Sequence, residues 1–288
     1  MIIELKKGNL RAVARSLGGE LVSLKDEKGQ EYVWEGDPAF WAGQNPILFP
    51  IVGSLKDGKV DIGGKIYEMG RHGFARGMEF TPVDQGEDFV TLELRENEET
   101  LKCYPFPFSL KVTHRLLEDG FATTFAVTNT GSAPMPFCVG GHTAIRIPEG
   151  ERFEDYDLVF DMLEQADSHL LNAQGIIRHD GRKPMLDGNR IALNYDDFAQ
   201  MDTIIFSMLR SGNVSLLHRG TGRGVRLDFH EFPMVAFWTK PGAPFLCLEP
   251  WQGCAAWDDE SGRFEDKPFC VILQPGEEKK LAYSICFE

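Results

Sequence analysis

The segment FSLKVTHRLLEDGFATTFAVTN, residues 108–129, alternates apolar and polar side chains on both sides of Asp119-Gly120. Phe108, Leu110 and Val112 share one face of the first half, and Phe121, Phe125 and Val127 share one face of the second. A repeat of two suits a pleated strand and cannot be a helical stripe. The spacing predicts an antiparallel hairpin, with Asp-Gly supplying two positive φ angles at the turn. Gly63-Gly64 in KVDIGGKIYEM predicts a second turn of the same kind, and FVTLELRE alternates through Val90, Leu92 and Leu94. Similar runs include ELVSLKD, EYVWEG, TIIFSML, VSLLHRG, GVRLDF, VAFWTK, FLCLEP and FCVILQP.

Helical signals are sparse. GDPAFWA offers Asp37 as a cap and Pro38 as a first helical residue, enough for one or two turns. More than a dozen short strands with so little helix predict an all-β fold, a large antiparallel β-sandwich or barrel-like sheet. No repeat, low-complexity tract or linker divides the chain, so residues 1–288 are expected to form one domain. NAQGIIRHDGRKPMLDGNR, residues 172–190, has the least pattern and reads as a long excursion.

A net charge of −14 disfavours nucleic acid and anionic membrane as partners and makes a neutral small molecule the easier ligand. The six cysteines form no CxxC pair and no zinc-like cluster with histidine, so no metal is expected; reduced thiols in a cytoplasmic protein fit them best. No apolar run approaches the roughly 20 residues of a membrane span, and MIIELKKGNL is charged too early for a signal peptide. No P-loop, G-x-S-x-G elbow or strand-linked G-x-G-x-x-G is present.

Three ionisable groups lie at the edges of strand-like runs. His72 sits in RHGFARGMEF, His142 follows Gly140-Gly141 in FCVGGHTAIRIP, and Glu249 precedes Pro250 in FLCLEPWQG. The glycines permit unusual backbone angles or close approach of another group. Pro250 should hold Glu249 extended and end its ladder. Trp251 offers a flat surface suited to the CH-rich face of a sugar. Each residue alone is read more simply as a turn histidine or a solvated strand-end acid. His114 lies on the apolar side of its run and reads as a satisfied core residue, while His230 shares a face with Arg226 and Asp228 and reads as exposed.

The set NPILFPIVGSLKDG, RHGFAR, GGH and CLEPW, in that order, resembles the aldose 1-epimerase (galactose mutarotase-like) family, most closely its LacX-like branch, across nearly the whole chain. The resemblance implies a galactose mutarotase-type β-sandwich. It also implies cofactor-free interconversion of the α and β anomers of a free hexose. Glu249 matches the family's general base, His142 the general acid that protonates the ring oxygen, and His72 a second site histidine that polarises the sugar. Asp202, in FAQMDTIIF, matches a carboxylate that binds a sugar hydroxyl. Arg76 either hydrogen-bonds a sugar oxygen or braces the site. The chain departs at Ser54, where the branch carries arginine; Lys56, Arg71 or Arg146 must then take that part, or the sugar differs.

Two other functions fit the same residues. One is a carbohydrate-binding or sensing protein without turnover, since fold does not fix function. The other is a hexose-6-phosphate 1-epimerase, with Arg71, Arg76 and Arg146 as the cationic cluster and the net charge weighing against it. The expected partner throughout is a small sugar, bound by a monomer or homodimer.

Overall fold

The computed structural model describes residues 1–288. Every paired strand in it is antiparallel, and two large sheets carry most of the chain. A nine-stranded sheet runs in the order Arg190–Ala192, Tyr156–Phe160, Asn213–His218, Gly224–Asp228, Glu278–Phe287, Gly120–Asn129, Phe108–Leu116, Phe89–Arg95, Thr81–Gln85. A seven-stranded sheet contains Val139–Gly140, Thr143–Arg146, Phe245–Gln252, Met234–Trp238, Thr203–Ser207, Ser168–Leu171 and Ile177–Lys183. The first three strands, Ile2–Lys7, Leu10–Arg15 and Glu20–Lys25, form a separate small sheet.

The large sheets meet face to face. Phe160 of the nine-stranded sheet packs edge-on against Phe206 and Phe237 of the other, with ring centroids 5.9 and 6.1 Å apart. Leu246 and Leu248 turn into this same core, while Cys247 and Glu249 point to the opposite face, as their alternation requires. The seven-stranded sheet therefore has an apolar inner face and an outer face free to carry polar groups. Registers across it set Ile205 beside Ala236 and Ala236 beside Glu249 on that outer face.

The two glycine turns differ in cause. Gly63 and Gly64 have φ of 61° and 83°, as a tight hairpin demands. At Asp119-Gly120 neither residue has positive φ, and the turn is centred one residue earlier, closed by Leu117 N–H donating to Gly120 O at 2.9 Å. Gly120 is needed for space instead, because a Cβ there would lie 2.1 Å from Ile285 O on the adjacent strand.

The region around 172–190 also departs from expectation. It contributes the edge strand Ile177–Lys183 to one large sheet and Arg190–Ala192 to the other. Polar outward residues on edge strands hide the alternation there. The EYVWEG segment is reduced to isolated bridges at Glu31 and Val33. Two short helices, Glu98–Cys103 and Tyr195–Met201, follow the caps Asn97 and Asn194. The Asp37 segment shortens to one turn, whose outcome is to place Trp41 over the outer face of the seven-stranded sheet.

Candidate active site

His142 and Glu249 meet because a strand register sets them opposite each other. Gly140 pairs with Trp251 and Thr143 with Leu248, so the two positions between them, Gly141 and His142, face Pro250 and Glu249. Cross-strand neighbours of this kind bring their side chains within reach on one face. His142 Nε2 lies 3.3 Å from Glu249 Oε2.

Pro250 does not end its own strand, which runs on to Gln252. It breaks the neighbouring ladder. Its carbonyl accepts from Gly141 N–H at 3.1 Å, but it has no N–H to return to Gly141. Gly141 in turn makes room for the core, since a Cβ there would lie 2.8 Å from the Tyr283 ring.

The pair is nearly dry: His142 is 7% exposed and Glu249 1%. Burial pushes the Glu249 carboxyl well above the usual carboxylate range, helped by Asp202 and opposed by the Trp251 hydrogen bond and by Arg71. Burial also lowers His142 to about 3, and the Arg76 and Arg71 charges add to the drop. Burial thus biases both groups towards their uncharged forms. Glu249 Oε2 also accepts from Trp251 Nε1–H at 3.2 Å. Trp251 is only 4% exposed and its polar edge is occupied, so the more open aromatic walls of the cleft are Trp41 and Trp238.

His72 answers both readings of its motif. Its backbone has φ 66°, unusual for a residue with a Cβ. Its N–H donates to Gly53 O at 2.8 Å, and its Nδ1 accepts from Gly53 N–H at 3.1 Å. That second bond fixes the tautomer: Nδ1 is bare, so Nε2 carries the hydrogen. Burial first, then His142, Arg76 and Arg71, hold its pKa well below the usual value. His72 is therefore a neutral hydrogen-bond donor, with its ring perpendicular to that of His142 at 5.6 Å.

These three residues, together with Asp202 and Arg76, line one cavity of about 130 Å³. All five residues singled out in the sequence are brought together. Asp202 follows the helix Tyr195–Met201 and has φ 63° and ψ −60°, the strained region of a γ-turn. Arg76 forms no ion pair, although the charge of Glu20 acts on it from beyond contact distance. Among replacements for the arginine absent at Ser54, Arg71 lies in the cleft with its Nε donating to Ser54 Oγ at 3.0 Å. Lys56 reaches Asp258 O instead, and Arg146 pairs with Glu35 at 3.7 Å beside a different cavity.

Sequence reading passed over Trp41, Gly175, Ile205 and Trp238, which also line the cleft. Trp238 and Ile205 share the parity of Glu249 through their registers, a signal that appears only once strand order is known.

His142, Cys247 and Glu249 present possible metal-ligand atoms within 4.8 Å of one another. Burial raises the Cys247 thiol and the Glu249 carboxyl, and His142 Nδ1 has no acceptor behind it. Burial thus works against the deprotonated thiol and carboxyl a metal would need, and His142 lacks the outer-shell support usual for a ligating histidine.

Comparison with known proteins gives a consistent result. The profile described as Aldose 1-epimerase matches residues 1–286. The chain is 37% identical to the chromosomal protein LacX of Lactococcus lactis subsp. lactis, over 99% of each chain. It superposes with a TM-score of 0.93 on a galactose mutarotase-like protein from Lactobacillus casei, at 30% identity and 100% coverage of both chains. A galactose mutarotase related enzyme from Lactobacillus acidophilus gives the same TM-score at 31% identity, covering 100% of this chain and 97% of that one.

Proposed function

The chain belongs to the aldose 1-epimerase family, and on that premise we propose that it interconverts the α and β anomers of an aldose by acid–base ring opening, all 288 residues acting as one unit. The observation that carries this reading is the dry cross-strand contact of His142 with Glu249 on the floor of a sugar-sized cleft.

Opening a pyranose breaks the C1–O5 bond, moves the O1 proton off and places a proton on O5. The pair's one proton passes first from Glu249 to His142; the carboxylate so formed takes the proton from O1, and the imidazolium supplies the one for O5. Rotation about C1–C2 then presents the other carbonyl face, and reversal of both transfers closes the ring. The pair begins and ends with one shared proton, so no net charge enters the cavity. His72 Nε2–H, kept neutral, donates to a sugar oxygen near C1. Asp202 and Arg76 bind hydroxyls at the rim. Acid–base assistance of this type contributes about 10²–10⁴-fold per positioned group.

A sugar-binding protein without turnover has one feature on its side: burial biases both acid and base towards their uncharged forms in the free protein. Exchange NMR on a freshly dissolved α-aldose separates the two. Acceleration over buffer, lost in Glu249→Gln with sugar binding retained, supports the enzyme. Saturable binding with exchange no faster than buffer rejects it. The protein has no helix long and apolar enough to cross a membrane.

A further inference from the structure

Most arginines of this chain are committed to carboxylates, among them Arg15 with Glu20 at 3.1 Å, Arg115 with Asp88 at 3.2 Å and Arg226 with Glu288 at 3.3 Å. Arg71 and Arg76 are not, although the chain has a net charge of −14 and acids to spare. Both are exposed, both stand in the wall of the same cleft, and each depresses the histidines there. Arg71 also lowers the pKa of Arg76, after burial the largest cause, so the two charges repel. Glu20 offsets part of the Arg76 charge without forming an ion pair, and two neighbouring guanidiniums still favour a negative group arriving between them.

Arg71 is also seated. Its Nε is fixed on Ser54 Oγ at 3.0 Å, which leaves the outer nitrogens of the fork free. Gly175 makes the space for them, because a Cβ there would stand 2.2 Å from Arg71 Nη2. A longer side chain at position 54 would compete for this seat. On its far side the cleft opens into a second compartment of about 290 Å³, which shares Arg71, Leu171, Gly175 and Asp202 with the first and adds Asn172 and Gln200. The guanidinium thus stands where the two spaces join. Asp202 is the one exposed carboxylate in the cleft, and it already accepts from Thr203 Oγ1 at 3.0 Å.

Resting on the anomer-interconverting reading above, we propose that the substrate is an aldose with an oxyanion substituent on the carbon remote from C1, either a phosphate ester or a carboxylate. With C1 over His142 and Glu249, that substituent projects towards the second compartment and meets the free fork of Arg71. Arg76 adds charge from the adjoining wall. A planar fork held at its Nε matches two oxygens of such a group at once.

The test compares a hexose, its 6-phosphate and the corresponding hexuronate by exchange NMR, with the uncatalysed rate of each subtracted. The expected result is a kcat/KM at least tenfold higher for one or both anionic sugars, and the arm that wins identifies the oxyanion. Arg71→Ala should cut that advantage by about 10- to 100-fold, the worth of hydrogen bonds to a charged group. Arg71→Lys should restore part of it, since it keeps charge but not the fork. Ser54→Ala, which removes only the anchor, should cost the anionic sugar a few-fold. Titration calorimetry of hexose 6-phosphate into Glu249→Gln reads the same recognition without turnover. The proposal is overturned if the neutral hexose equals or exceeds both anionic sugars, or if Arg71→Ala lowers all three alike. If none of the sugars is accelerated while binding of an anionic one still depends on Arg71, the reaction falls and the recognition stands.

Discussion

Two buried histidines sit in different regions of this molecule and have opposite fates. His114, in the nine-stranded sheet, is 0% exposed and uses both ring nitrogens. Nε2 donates to Gly19 O at 2.8 Å, so Nδ1 is the acceptor and takes the Thr123 hydroxyl hydrogen at 2.9 Å. It ties the large sheet to the turn that enters the third strand of the small one. His142, under the cleft, has Nδ1 buried with no partner and Nε2 3.3 Å from the buried Glu249 carboxyl. Burial lowers both, His114 to about 4 and His142 to about 3. A depressed pKa does not distinguish them. Unspent hydrogen-bonding capacity does, because a satisfied ring has nothing left to offer a substrate.

The contrast can be broken most directly at Glu249. Glu249→Gln keeps the shape and removes the shared proton's second home; turnover should fall about 10³-fold, within the range for such groups, with the urea midpoint close to wild type. A fall in midpoint large enough to account for the lost rate would make the cleft a structural feature like His114. The reverse experiment is His114→Ala, which opens a cavity and orphans a carbonyl. It should cost about 2–4 kcal/mol in urea unfolding and leave kcat per folded molecule unchanged.

Acidity sharpens the comparison further. The folded pKa of His114 lies below its unfolded value, so its contribution to stability is present above 6.5 and is lost as pH falls towards 4. That loss reaches about 3 kcal/mol over the window and should vanish from the His114→Ala pH series. The rate should behave differently. With His142 near 3, kcat/KM should show no acid limb at pH 6.5, where an ordinary histidine would titrate, and its alkaline limb should belong to the Glu249 carboxyl, which burial raises. An acid limb centred on 6.5 would show that the pair is not the uncharged, proton-sharing couple described. The smallest effect belongs to Thr123→Val, which removes one hydrogen bond to His114 and should cost about 1 kcal/mol with no change in rate.

Much of this was legible in the sequence because period-two alternation reports burial directly. Phe108 to Leu116 and Phe121 to Asn129 pair as their pattern indicates. The residues of the site were legible for another reason, as the motifs RHGFAR, GGH and CLEPW travel together in a recognisable family. What stayed hidden depended on strand order. Nothing local says that Trp238 and Ile205 share a face with Glu249, or that Gly175, in a segment without pattern, yields space to Arg71. Likewise Asp119-Gly120 looks like a turn demanding positive φ, whereas the glycine answers a strand more than 160 residues away.

The fixed register between Gly140–Thr143 and Leu248–Trp251 has a practical corollary. The groups that would move protons are set by main-chain pairing, whereas Arg71, Asn172, Gly175 and Asp202 stand on connecting segments. Rewriting those connections should retune which sugar is accepted while the paired strands keep the reactive pair aligned. The molecule is in this sense a rigid anvil with an interchangeable collar, and a directed-evolution search for new sugar preferences belongs in the collar.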